Sequence, residues 1–181
     1  MLWKALAAAI TLLYPFVIWL GHGQVEPRWM AALLLAAAAT RLPAVKLSAA
    51  ARWSVAGALL LAAYALWNNA LMPLKLYPVL VNLSFLAVFA YSLGTPVSMI
   101  ERLARLREPD LPPEAVRYTR RVTEIWCAFF VFNGGLSLAT AVWAPEAVWS
   151  LYNGVIAYCL MGLLFAGEWL ARRRFRRRHA H

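Results

Sequence analysis

Apolar residues come in six long runs along this chain, at 3–20, 29–40, 53–71, 77–93, 122–143 and 148–170, with polar and charged residues gathered in the gaps. A bilayer core of about 30 Å takes roughly 20 helical residues, and backbone groups in lipid must be satisfied within each segment. The pattern predicts an all-α fold, a polytopic helical bundle of about six transmembrane helices forming a single membrane domain over 1–181. The second run is short. Its dozen or so residues reach only about 18 Å as helix, so it thins the bilayer or stays a half-span against its neighbours.

The ends of the runs carry two further patterns. All nine tryptophans lie there, at the headgroup level that indole rings prefer, and Lys/Arg-rich loops stay cytoplasmic. With both termini cytoplasmic, sixteen of the eighteen basic residues fall inside, leaving Arg28 and Lys75 outside. The two patterns agree on six spans with both ends in. The cytoplasmic side then holds a loop over 94–121 and a basic tail over 171–181.

Within that loop, Gly94 suits a left-handed cap of the fourth helix, Thr95 an N-cap and Pro96 the first turn of a new helix. From Val97 to Arg107, Val97, Ile100, Leu103, Ala104 and Leu106 share one broad face, and Glu101, Arg102 and Arg105 fall largely on the other. This predicts a short amphipathic helix along the cytoplasmic interface, the alternative being an extension of the fourth helix into water. The proline-rich stretch 108–113 breaks the chain, and Glu114 starts the fifth helix below the membrane.

Composition narrows the function class. Hydrophobic residues make up 63% of the chain, with a mean hydropathy of +0.61. The net charge of +10 flanks spans instead of covering a polar surface, which argues against nucleic acid. Residues 3–20 read as an uncleaved first span, since no small-x-small cleavage site follows them. Cys127 and Cys159 fall within spans and read as small buried packing groups, not a disulfide. His22, His179 and His181 are the only histidines. No His-x-x-x-His, Cys-x-x-Cys or paired-aspartate motif is present, so the sequence implies neither a metal nor a cofactor. Hydrolase and nucleotide-loop motifs are missing too.

Two polar groupings remain. Asn82, Asn133 and Asn153 lie inside spans, where polar side chains are expensive. They form either a polar pocket opening outward or, the preferred reading, interhelical hydrogen bonds helped by Gly134, Gly135, Gly154 and Gly162. Glu101, Glu124 and Glu168 fall near the cytoplasmic boundary on three elements, with Arg102, Arg105, Arg120, Arg121 and Arg172 as partners and Tyr118, Thr119 and Thr123 at the same level. Arginine forks steadied by glutamates would bind phosphate or carboxylate; ion pairs that pin helix ends are the preferred reading.

Several stretches carry a resemblance: Tyr-Pro-Val-Leu-Val-Asn at 77–82, Ser-Leu at 92–93, Ile-Glu-Arg-Leu-Ala-Arg-Leu-Arg-Glu-Pro-Asp-Leu-Pro-Pro at 100–113, Tyr-Thr-Arg-Arg-Val-Thr-Glu-Ile-Trp at 118–126, Phe-Phe-Val-Phe-Asn-Gly at 129–134 and Trp-Ser-Leu-Tyr-Asn-Gly at 149–154. Together they resemble a family of small bacterial multi-pass inner-membrane proteins encoded near aryl-polyene and other fatty-acid-type synthesis genes, some of them labelled ketosynthase. The likeness covers 77–174, a little over half the chain, and the first three runs resemble nothing in particular. It implies an inner-membrane location and an association with an acyl pathway, but brings no established catalytic residues. Ketosynthase chemistry itself lacks support: it needs an accessible thiolate assisted by histidines, and no histidine falls in any predicted span.

The expected function is thus an accessory membrane protein of a lipid-like or polyene acyl pathway. Its arginine-rich inner face would bind anionic headgroups of membrane lipids or an acidic partner such as an acyl carrier protein. A small transporter or flippase using the three asparagines is the second expectation. A membrane-embedded acyl- or glycosyl-transfer enzyme with Glu101 or Glu124 as base is the third.

Overall fold

A computed structural model of the protein describes residues 49–68 and 72–178, together with Ala32 and Leu35. Every element among them is helical: α1 (Ala49–Asn68), α2 (Met72–Lys75), α3 (Tyr77–Leu93), α4 (Met99–Arg105), α5 (Pro113–Trp143), α6 (Glu146–Leu151), a π-turn (Tyr152–Ile156) and α7 (Ala157–Arg178). Three helical stretches are long and apolar enough to cross a membrane, Met72–Leu93, Pro113–Trp143 and Glu146–Arg174. The expected third span falls on α1, whose shorter apolar stretch is Val55–Tyr64. The expected spans at 3–20 and 29–40 lie outside the described residues, apart from Ala32 and Leu35, as do His22, His179 and His181.

Local chemistry sets the boundaries. Pro78 sits in the first turn of α3, where its missing N–H costs nothing. Pro112 and Pro113 open α5, with Pro113 at the first helical position. Its 31 residues reach about 46 Å, longer than a hydrocarbon layer of about 30 Å. Ala144, ahead of Pro145, turns extended and ends α5.

The turn after α3 differs from expectation. Gly94 has φ −83°, an ordinary right-handed conformation, so no left-handed cap forms. Ser98, not Thr95, precedes the next helix, with extended backbone and Glu101 three residues on. Thr95 is occupied otherwise: its hydroxyl lies 2.8 Å from Ser92 O and 3.0 Å from Val97 O, closing the turn. The short helix α4 therefore stands apart from α3. Glu101 is buried, while Leu103 and Leu106 are exposed. Glu101 goes inside because its charge is met there, by the guanidinium of Arg105 one turn later.

Close approaches hold α3 between α1 and α5. Leu80 lies over Gly57, where a Cβ would meet its Cδ1 at 2.8 Å. A Cβ on Gly134 would meet that of Asn82 at 3.1 Å. One apolar cluster joins Ala58, Ala62, Leu74, Tyr77, Ala141 and Trp149 at the arginine-poor end. A second joins Phe89, Val122, Trp126 and Phe130 toward the arginine-rich end. The outward surface carries Leu83, Phe85, Val131, Phe132 and Leu163. Water would disfavour so much exposed apolar area, whereas lipid suits it. Cys127 and Cys159 are free thiols, and Cys159 is exposed on that surface, not buried as expected.

Candidate functional site

The three asparagines of the apolar helices fall into two hydrogen-bonded groups, Asn82 with Asn133 and Asn153 apart from them. Asn133 Nδ2 donates to Asn82 Oδ1 at 3.0 Å, and the Tyr152 hydroxyl donates to Asn133 Oδ1 at 2.8 Å. Asn82 Nδ2 donates to Pro78 O within α3. Ser137 Oγ donates to Asn153 Oδ1 at 2.7 Å, and Asn153 Nδ2 donates to Trp149 O. Tyr152 and Asn153 are sequence neighbours yet both are buried against α5. The π-turn permits this: the Ala157 N–H bonds to Tyr152 O, five residues back. Each carboxamide thus spends its oxygen and its NH2 on protein partners.

At the arginine-rich end the expected site residues separate into three groups. The first ties down α4 and its flanking turns. Arg105 places Nε and Nη2 on Glu101 Oε1 at 2.9 and 2.8 Å, and its Nη1 on Pro109 O at 2.7 Å. Arg102 holds Val97 O and the Thr95 hydroxyl. Arg120 reaches across from α5 to Leu93 O at 2.8 Å. These guanidiniums are used on backbone carbonyls left over by turns and helix ends. Thr123 is buried on α5 and receives the Ile100 N–H, fixing α4 against α5.

The second group is Glu124 with Arg121, an exposed pair at 3.0 Å on the outside of α5. Such pairs contribute little. The third is Tyr118, Thr119 and Glu168, which line a groove of about 1500 Å³ between α4, the 106–112 turn, the first turns of α5 and the last of α7. Its floor is apolar, built from Ile100, Val122, Trp126 and Phe165, and its rim carries Arg107, Glu108, Arg172 and Arg173.

Large side chains hold this groove open. The backbone of α5 comes close to α6 and to the π-turn. Farther along, Trp126 meets Phe165 with ring centroids 4.6 Å apart, spanning the gap. The Tyr118 hydroxyl lies 3.4 Å from Glu168 Oε1, which also takes Arg172 Nε at 2.8 Å. Arg173 lies over the Trp169 ring, 3.7 Å from its centroid, in cation–π contact.

Local patterns pointed to Glu168, Tyr118 and Thr119 but not to Arg107, Arg173 or the aromatic floor. One signal was present: Trp169 and Arg173 are four apart, so they meet on one helix face. Neither Glu101 nor Glu124 lines the groove. Comparison with family models, with curated proteins and with solved structures finds no match for this chain.

Proposed function

We propose that this is a multi-pass bacterial inner-membrane protein, both termini cytoplasmic, serving as an accessory component of a lipid-like or aryl-polyene acyl pathway. Its working surface is the arginine-rich end, which engages an anionic headgroup or an acidic partner such as an acyl carrier protein. The charge distribution supports this orientation, and the resemblance of 77–174 supports the pathway. The observation that carries the reading is the groove, apolar along its floor and cationic at its rim. That is the profile of a site for molecules with a charged head and an apolar body.

The other readings draw less from the geometry. A route through the asparagines would need amides available to a passing substrate, and each of these is engaged with protein partners. A general base would need an accessible carboxylate beside a substrate space. Glu101 is buried under Arg105, and Glu124 points away from the groove.

The test is mass spectrometry of total lipid and pigment extracts from a deletion strain beside its parent, grown so that neighbouring genes are expressed. The expected result is loss or build-up of a specific acyl product. Unchanged extracts would remove the pathway reading. Finished product accumulating in the inner membrane would favour transport.

A further inference from the structure

The arginines of this end are not equivalent, and the difference points to a ligand. Arg102, Arg105 and Arg120 are committed to backbone carbonyls. Arg117 and Arg121 pair with Glu114 and Glu124 on the outside of α5. Of the arginines lining the groove, Arg172 is held by Glu168. The guanidiniums of Arg107 and Arg173 make no hydrogen bond or ion pair among the described residues, and the two residues line the groove from different walls. Arg107 follows α4, and Arg173 lies on α7 with its guanidinium set in place by the Trp169 ring. A guanidinium with its donors unspent and its position fixed loses little freedom when an anion arrives.

Charge narrows the head. The groove lining holds Arg107, Arg172 and Arg173 against Glu108 and Glu168, a surplus of one positive charge. A singly charged phosphodiester matches it; a dianionic phosphomonoester would leave negative charge facing the two glutamates. Depth narrows the body. From Arg172 back to Phe165 is seven residues, about 10 Å of helix, and there the floor becomes Trp126, Phe165 and Val122. A docking protein cannot follow the groove into that apolar level, whereas an acyl chain can.

We infer that the groove binds one anionic phosphodiester lipid from the surrounding bilayer, its phosphate between Arg107 and Arg173 and one acyl chain along Trp126 and Phe165. The inference rests on the reading of the arginine-rich end as the working surface and names its ligand. Glu168 keeps Arg172 oriented at the back of the site, and the Tyr118 hydroxyl lies beside that carboxylate.

The experiment is native mass spectrometry of the full chain released from nanodiscs containing equal parts of phosphatidylglycerol, phosphatidylcholine and phosphatidic acid. One phosphatidylglycerol per chain should be retained, about tenfold over phosphatidylcholine, as expected for charge-assisted hydrogen bonds that only the anionic lipid can keep without a nearby cation. The exposed double variant Arg107→Gln/Arg173→Gln should erase that preference while eluting as the parent does. Arg121→Gln removes a charge elsewhere on the same end and should leave it intact. Equal losses in Arg121→Gln would mean general attraction to a positive surface and overturn the site. Stronger retention of phosphatidic acid would overturn the charge match. Displacement of all retained lipid by added acyl carrier protein, sensitive to the same double variant, would make the groove a protein-docking face and overturn the lipid assignment. Retained lipid with unchanged cellular extracts would sink the pathway reading alone; altered extracts without retained lipid would sink this one alone.

Discussion

The two ends of the bundle are built from the same helices and reach opposite results. At the arginine-poor end α5 presents Asn133, Gly134, Ser137 and Ala141, all buried. These small and amide side chains let α3 and the π-turn come close, and fully buried Trp149 and Leu74 fill what remains. Trp149 Nε1 donates to Lys75 O at 3.2 Å, and Lys75 pairs with Glu146 at 3.7 Å. At the other end α5 presents Trp126 and Phe130, which meet Phe85, Phe89 and Phe165 ring to ring. Between α5 and α7 the rings of Trp126 and Phe165 span a gap there, and the polar groups hold turns and rim a groove. Side-chain size along α5 goes with where the far helix closes on it and where a groove remains. Polarity decides what each end is closed or lined with.

That contrast can be broken most forcefully at Trp149. Trp149→Ala should cost about 3 kcal/mol of stability in detergent, the usual scale for emptying a fully buried aromatic site. Reversible unfolding followed by circular dichroism checks it, and a cost below about 1 kcal/mol would mean the closed end is not packed as a core. Next comes Asn133→Leu, which takes away bonds to both Asn82 and Tyr152 and strands the tyrosine hydroxyl. It should cost about 2 kcal/mol in the same assay. A wild-type midpoint would show that the amide chain does not hold the helices together.

The open end should respond locally. Glu101→Gln removes the charge that Arg105 grips, for about 1 kcal/mol, and should speed protease nicking of the 106–112 turn before global unfolding changes. Equal nicking in wild type and variant would detach α4 from that ion pair. Smallest of all, Arg121→Gln should leave stability within about 0.5 kcal/mol; a larger shift would mean the outer face of α5 is covered by something.

Much of the helical frame was legible in the sequence, for identifiable reasons. Residues 77–93 stand out because Pro78 opens them and Gly94 follows them, and the observed α3 has those bounds. The early start of α5 is visible in the paired prolines 112 and 113. The burial of Glu101 was not legible, because placing charges toward water assumes that they have no better partner. Glu101 has one in Arg105, four residues on, and its other oxygen takes the Ser98 N–H at 3.4 Å. The asparagines announce themselves as expensive residues in apolar helices, yet which pairs with which depends on where α3 crosses α5 at Gly134. Arg107 and Arg173 look locally like any other arginine of the basic stretches. What distinguishes them is that their neighbours are already committed, which is a property of the folded arrangement.

The π-turn at Tyr152–Ile156 carries a consequence for everything after it. One residue more per turn shifts the angular phase of α7 relative to α6 by about 100°, the rotation of a single helical residue. Phe165 and Glu168 face Trp126 and Tyr118 with that offset in place. A chain one residue shorter between 152 and 156, wound as plain α-helix, would turn those side chains away from Trp126 and Tyr118 and carry Arg173 off the rim. The azimuth of the far wall is therefore set at the opposite end of the molecule, by a single extra residue in a helix.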